Sequence, residues 1–327
     1  MAVSSSNGHI TIWDLASKRL FHILQSVHSN ITLCHFLNGQ PLLLTTGDNS
    51  VKQFVFDLNA LPRFLKGRAG HSAPPTKIQF HGEHNILSAS RDRSLRLFST
   101  IRDAQTVELS QGSVEKKSKA YGVQASDLKL GVITGLAAST SSFYYFDWSD
   151  LLDTIKTRQW DDVITCHASS TMAQTWTTQN KKIGKHTFKT SSPITAVGVS
   201  GCGNFGFVGC FDGSISMYNL QSGAHRKTFS GHTKSVTGIC TDDVSQTVIS
   251  SSLDGTVRLW NVKTGKEMSE IQLNSPITTL SGFSESHLCA VASDDLCIRV
   301  IDIDTKRIVR EFFGHNNRIT DVVCLLF

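Results

Sequence analysis

The chain has 327 residues, 39% of them hydrophobic and 18% charged, with a formal net charge of +5, the composition of a globular protein large enough to bury a sizeable core. No apolar run approaches the roughly 20 residues needed to cross a bilayer, and the opening MAVSSSNGHI lacks the layout of a signal peptide, which argues against membrane-spanning and secreted classes. Eight cysteines without a CxxC pair (34, 166, 202, 210, 240, 289, 297 and 324) predict buried thiols in a reducing compartment, not a disulfide framework or zinc site, and the mild positive charge permits an RNA partner without demanding one.

In chain order, residues 1–25 hold three strand-like runs. Groups of short runs follow near 29–66, 71–109, 162–190, 193–229, 232–273 and 275–313, and residues 318–327 make one further strand. Each group shows period-two alternation, as in Thr256-Val257-Arg258-Leu259-Trp260, broken by Gly, Asn, Asp and Ser, with no sustained helical period. A turn residue recurs at positions 7, 48, 92, 212, 254 and 295, in steps of 41, 44, 120, 42 and 41. A period near forty built from such runs predicts repeated small antiparallel sheets and an all-β fold.

The step of 120 leaves about forty surplus residues between Gln111 and Trp160. The preferred reading is an irregular insertion over about 110–160, in which VEKKSKAYG (114–122) is a solvated loop. The alternative makes LAASTSSFYYFDW (136–148) a degenerate repeat of its own. The two ends are ragged in a complementary way: three strands begin the chain and one ends it. Either the last strand completes the first sheet and closes the array, removing exposed edges, or the chain is a piece of something longer.

The repeats resemble the WD-repeat family, whose units are four-stranded blades of a β-propeller. The best match is His232, Ser250, Asp254 and Trp260; a second set is His71, Ser88, Asp92 and Phe98, in which Phe98 lacks a donor. The resemblance implies one β-propeller region over 1–327 with about seven blades, eight if the degenerate repeat counts. It also implies a relay in each complete set from indole to hydroxyl to imidazole to carboxylate, which holds because a buried carboxylate needs its donors.

Candidate chemistry is sparse. GCGNFG (201–206) fits the dinucleotide pattern by letter, but strand-like FGFVG follows where a helix must begin, so the glycines turn a hairpin. HGEH (81–84) has its histidines three apart, not four apart on a helix, and reads as a turn. Asp161-Asp162, Asp242-Asp243 and Asp294-Asp295 sit at turns or strand ends, where Asp caps backbone N–H groups. No nucleophile elbow occurs. The expectation is a non-enzyme, with no catalytic residue, cofactor or metal.

More particular stretches, GHSAPPTKI (70–78), ILSASRDRSLRLFS (86–99), WDDVITCH (160–167), YNLQSGAHRKTF (218–229) and IVREFFGH (308–315), resemble one branch of the family, the small-nucleolar-RNA-associated WD-repeat subunit of the small-subunit processome. That resemblance implies a nuclear, nucleolar scaffold in ribosome biogenesis, needed for processing of precursor small-subunit ribosomal RNA. Implied partners are other WD-repeat subunits and precursor ribosomal RNA or small nucleolar ribonucleoprotein, met indirectly or through basic loops. Family members are longer at both ends and carry tandem propellers, so the chain reads as truncated. Candidate contacts to RNA or protein are Lys116, Lys117 and Lys119, with Arg91, Arg93 and Arg226. A second function class is a substrate receptor of a cullin-type ubiquitin ligase, which would carry a basic residue two positions after the Asp of a Trp-Asp pair. Trp13-Asp14-Leu15-Ala16 lacks it, and Trp260-Asn261-Val262-Lys263 has lost the Asp.

Overall fold

The computed structural model describes residues 1–37, 40–47, 49–56, 61–82, 84–102, 106–112, 114–122, 124, 128–139, 160–242, 246–282 and 287–322. The chain forms two compact units, Met1–Pro74 with Phe98–Thr106, and Pro75–Leu97 with Val107–Phe327. Seven antiparallel sheets follow one another along the sequence, each made of consecutive strands. This is the blade organisation of a WD-repeat β-propeller.

The first unit holds two sheets. One has three strands, β1 (Ala2–Ser4), β2 (Ile10–Asp14) and β3 (Arg19–Leu24); the other has four, β4 (Ile31–Phe36), β5 (Leu42–Gly47), β6 (Ser50–Val55) and β7 (Arg63–Ala69). Alternate side chains of β2 and β5 point inward, and Ile10, Ile12, Leu24, Val27, Leu43 and Phe54 make a dry core between the two sheets.

The second unit holds five four-stranded sheets. They comprise β8 (Pro75–Phe80), β9 (Asn85–Ser90), β10 (Leu95–Ser99) and β11 (Val107–Glu108); β12 (Ile133–Ala138), β13 (Val163–His167), β14 (Met172–Thr177) and β15 (Lys182–Lys189); β16 (Ile194–Val199), β17 (Phe205–Cys210), β18 (Ile215–Asn219) and β19 (His225–Phe229); β20 (Val236–Thr241), β21 (Thr247–Ser252), β22 (Thr256–Asn261) and β23 (Glu267–Gln272); and β24 (Ile277–Gly282), β25 (Leu288–Ser293), β26 (Ile298–Asp302) and β27 (Arg307–Phe312). Their first strands, β8, β12, β16, β20 and β24, lie next to one another in that order. Middle strands are the most apolar, with β13 buried throughout, whereas β27 is exposed along its whole length.

Two irregularities recur at fixed places. In every sheet with a described four-strand register the first strand bulges after its first residue, and the residue skipped is always threonine: Thr32, Thr76, Thr134, Thr195, Thr237 and Thr278. A bulge frees a ladder carbonyl, and the threonine hydroxyl is placed to recover it. Thr195 donates to Gly209 O (3.3 Å) and to Val236 O of the next sheet (2.6 Å), and Thr76 donates to Ala89 O (3.2 Å) and Ile133 O (2.7 Å). The second irregularity is a register shift between the last two strands of a sheet, falling at Trp13 in the N-terminal sheet and at Phe54, Trp176, Tyr218, Trp260 and Ile301 elsewhere. Both bulges increase local twist.

The middle of the chain departs from the expected insertion. Ile133–Ala138 is the first strand of the sheet completed by β13–β15, so the blade expected at 162–190 begins at Ile133 instead, and the first residues of the candidate eighth blade at 136–148 belong to this strand. Residues 140–159 lie outside the described residues. The strand carries Gly135, Ala137 and Ala138 because its neighbours are close: a Cβ on Gly135 would meet Cys166 Sγ at 2.6 Å. Small residues in place of alternating large ones hide a strand from a periodicity reading. VEKKSKAYG is not a loop either. Residues Val114–Tyr121 form helix α1, with Lys119 in its last turn and Gly122 at φ 65° ending it, the usual C-terminal glycine with a cation against the carbonyl end.

The C-terminal strand expected at 318–327 to complete the first sheet is not seen among the described residues. That sheet has three strands, and residues 318–322 run without ladder pairing; 323–327 lie outside the described residues. Instead Asp321 meets Lys77 Nζ at 2.7 Å and accepts from Thr279 Oγ1 at 3.4 Å, while Ile319 is buried.

Candidate functional site

The sheet β20–β23 holds the most complete polar constellation. Trp260 Nε1 donates to Ser250 Oγ (2.8 Å), Ser250 Oγ meets His232 Nε2 (2.8 Å), and His232 Nδ1 meets Asp254 Oδ2 (3.0 Å). Since the indole can only donate, the serine proton goes to Nε2 and the Nδ1 proton to the carboxylate, which fixes one neutral tautomer. Burial pushes the His232 imidazole below its ordinary value, against the upward pull of Asp254, in keeping with that neutral form. Burial raises Asp254, but the Thr256 hydroxyl (2.6 Å), the amides of Thr233 (3.0 Å) and Thr256 (2.9 Å), and His232 outweigh it and hold the carboxyl at about 2. Every polar atom is used up inside the sheet. The constellation can tie strands together but presents no nucleophile or base to a substrate.

Variants of this clasp occur where the sequence reading named none. In β12–β15, Trp176 Nε1 donates to Thr165 Oγ1 (2.7 Å), which meets His167 Nε2 (3.3 Å), and His167 Nδ1 reaches the Gly131 carbonyl (2.8 Å) in place of a carboxylate. In β4–β7, His28 Nε2 meets Thr45 Oγ1 (3.1 Å) and Nδ1 meets Ser50 Oγ (3.1 Å). The signal was present: His28 precedes Thr45 by 17 residues, much as His232 precedes Ser250 by 18. Of the second expected set, His71 and Ser88 are buried, His71 stands edge-on to Phe98 with ring centroids 6.0 Å apart, and Asp92 caps the Ser94 amide and hydroxyl.

The adjacent aspartates Asp161 and Asp162 stand at the strand end before β13 and cap backbone amides as expected, but they are also buried. Asp161 accepts from Thr175 Oγ1 (2.6 Å) and the Lys185 amide (2.8 Å). Asp162 accepts from the Thr178 amide (2.9 Å) and hydroxyl, with His81 Nε2 at 3.4 Å. His81 stays in the β8–β9 turn, its amide donating to Asn85 O (2.9 Å), while its side chain reaches the next sheet; no metal-binding group of three His, Cys, Asp or Glu occurs among the described residues. GCGNFG closes the β16–β17 hairpin, its turn held by Gly203 N to Ser200 O (2.8 Å).

The candidate contact residues fall on three elements. Arg91 and Arg93 flank Asp92 in the β9–β10 turn, Arg226 is exposed on β19, and Lys116, Lys117 and Lys119 belong to α1, where Lys119 is exposed. In the first unit a cleft of about 360 Å³ is lined by Leu24, Gln25, Ser26, Val27, Lys52, Phe54 and Phe64; its one charged group, Lys52, donates to the Val27 carbonyl. With no carboxylate or imidazole in its lining, that cleft lacks an acid–base pair. No helix among the described residues is long and apolar enough to cross a membrane.

Comparison with known proteins gives the context. Residues 76–325 match the family model described as the WDR36/Utp21 second beta-propeller domain, and the match starts one residue after the second compact unit does. The U3 small nucleolar RNA-associated protein 21 homolog of Schizosaccharomyces pombe is 38% identical over 330 residues, and the U3 small nucleolar RNA-associated protein 21 of Saccharomyces cerevisiae is 38% identical over 341 residues; each alignment covers 98% of this chain and 35% of the relative. WD repeat-containing protein 36 of Homo sapiens is 34% identical over 338 residues, covering 98% of this chain and 36% of the relative. The chain therefore spans about a third of the length of these relatives. With the sheets, the clasps and this match in agreement, the chain belongs to the WDR36/Utp21 β-propeller family.

Proposed function

We propose that the chain is a non-catalytic scaffold of ribosome biogenesis, a component of the small-subunit processome required for processing precursor small-subunit ribosomal RNA. The observation that carries this reading is identity of 38% along 98% of the chain to proteins named for association with U3 small nucleolar RNA. The geometry agrees with it: polar clusters are spent on holding sheets together, and surface chemistry is left to exposed cations and strand edges. Its partners are other WD-repeat subunits of the processome, with precursor RNA or small nucleolar ribonucleoprotein reached through basic surface. Its place is the nucleolus. Depletion in its own cells tests the role: unprocessed precursor accumulates and mature small-subunit RNA falls while large-subunit RNA holds. Equal loss of both RNAs, or of neither, overturns the reading.

A further inference from the structure

The cations of the second unit are unevenly spread. Between residues 160 and 230, covering β13–β19, six lysines and arginines face three aspartates; between 231 and 313, covering β20–β27, eight face eleven acids. Of those three aspartates, Asp161 and Asp162 are buried and bonded inward, and Asp212 caps the Ser214 amide and hydroxyl. The cations stand on the fourth strands and the turns before them. Lys181, Lys182, Lys185 and Lys189 of the β15 edge and Arg226 of the β19 edge are all exposed, and among the described residues no carboxylate lies within 4.0 Å of the ammonium or guanidinium group of any of them. Lys227 is the exception, donating to the Val262 carbonyl (3.2 Å).

The β15 edge is fastened to the turn that leads into β19. His186 Nε2 of β15 meets Gln221 O at 3.2 Å, and Gly223, at φ 71°, lets the ring in: a Cβ there would stand 2.4 Å from His186 Nδ1. Lys182 to Lys189 extends about 23 Å at 3.3 Å per residue, long enough to meet several successive phosphates of one strand.

We propose that this face, the β15 edge and the β19 edge with the β18–β19 turn between them, binds the sugar-phosphate backbone of folded RNA; the inference rests on the scaffold reading above. The face is unlike a protein-docking surface, which is depleted in lysine and enriched in aromatic residues. Between residues 160 and 230 the exposed large apolar side chains are Met172 and Phe211. One exposed ring is also too few for a single-strand stacking platform. What is left is a charged strip suited to phosphates held at fixed spacing, with sequence-independent binding.

The test is titration of the full chain with a 20-base-pair RNA hairpin of arbitrary sequence at several salt concentrations, beside poly-glutamate of matched charge. Comparison is with the variant Lys182→Ala/Lys185→Ala/Lys189→Ala/Arg226→Ala and with the charge-matched control Lys263→Ala/Lys266→Ala/Arg307→Ala/Arg310→Ala. The expected result is salt-dependent hairpin binding that the four edge changes weaken at least ~30-fold, with a salt slope shallower by about three, while the control stays within ~3-fold. Equal loss in the control, an unchanged edge variant, or equally tight poly-glutamate overturns the proposal. Recovery of processome subunits by the edge variant separates the two readings: subunits retained with hairpin binding lost supports both, and hairpin binding unaffected sinks this one alone.

Discussion

Replacing Ser250 by alanine removes one hydroxyl and leaves two partners without a bond. Ser250 is fully buried, Trp260 is 2% exposed and His232 6% exposed, so water cannot take the place of the lost oxygen. An orphaned buried donor or acceptor costs about 1–3 kcal/mol; with the indole N–H and His232 Nε2 both stranded, the loss is about 3 kcal/mol. The clearest readout is amide hydrogen exchange over 247–261, because the chain forms two units and a single unfolding midpoint need not describe both. About 3 kcal/mol corresponds to a loss of protection of roughly 100-fold. Trp260→Phe should cost less at the polar site, and the double variant should recover about 1–2 kcal/mol of coupling, because no indole N–H remains to be stranded. A cost below about 0.5 kcal/mol for Ser250→Ala, or an additive cycle, would refute the clasp as a coupled set.

Other consequences follow from the same structure. Asp254 has a folded value of about 2 against an ordinary 3.8, so the unfolded chain takes up its proton first as the pH falls; the stability it contributes is full above about pH 5 and fades from about pH 4 through 2. Exchange protection of β20–β23 should therefore drop more between pH 6 and pH 3 in the parent than in Asp254→Asn, and equal drops would count against the assignment. Thr195→Val keeps the shape but removes the donor to Gly209 O and Val236 O, an expected loss of about 1–2 kcal/mol in a thermal or urea melt; no change would mean that the bulge threonines are incidental. Cys166 and Cys210 are buried, and burial raises both thiols, so alkylation in the native state should be at least ten times slower than in urea. Equal rates would contradict their placement.

Much of the architecture was legible because the physics repeats. The forty-residue period, the turn residue that marks it and the register shift between the last two strands are set by local geometry, so the shift recurs in six sheets even where Trp260 is replaced by Tyr218 or Ile301. The threonine of the first-strand bulge was equally readable, in Ile31-Thr32, Ile133-Thr134, Ile194-Thr195 and Ile277-Thr278, and would have located the strand at 133–138. That strand was hidden because close packing demands Gly135 and alanines where alternation expects large side chains. Helix α1 was missed for a different reason: eight residues are too few to display a helical period against polar surroundings. That Asp161 and Asp162 cap backbone amides was readable, but their burial was not, since the partners Thr175, Thr178 and His81 come from strands and turns distant in sequence. Arg226 of the β19 edge was singled out from the sequence, but the β15 lysines escaped notice because they form a strip only once the strand that carries them is known to be outermost.

Affinity purification of the tagged native protein from its own cells, with and without RNase, asks whether the chain works by holding partners. Other WD-repeat subunits of the processome should be recovered in both samples, with precursor ribosomal RNA in the untreated one. Recovery of a cullin adaptor in place of those subunits would contradict the scaffold role, as would their absence from both samples.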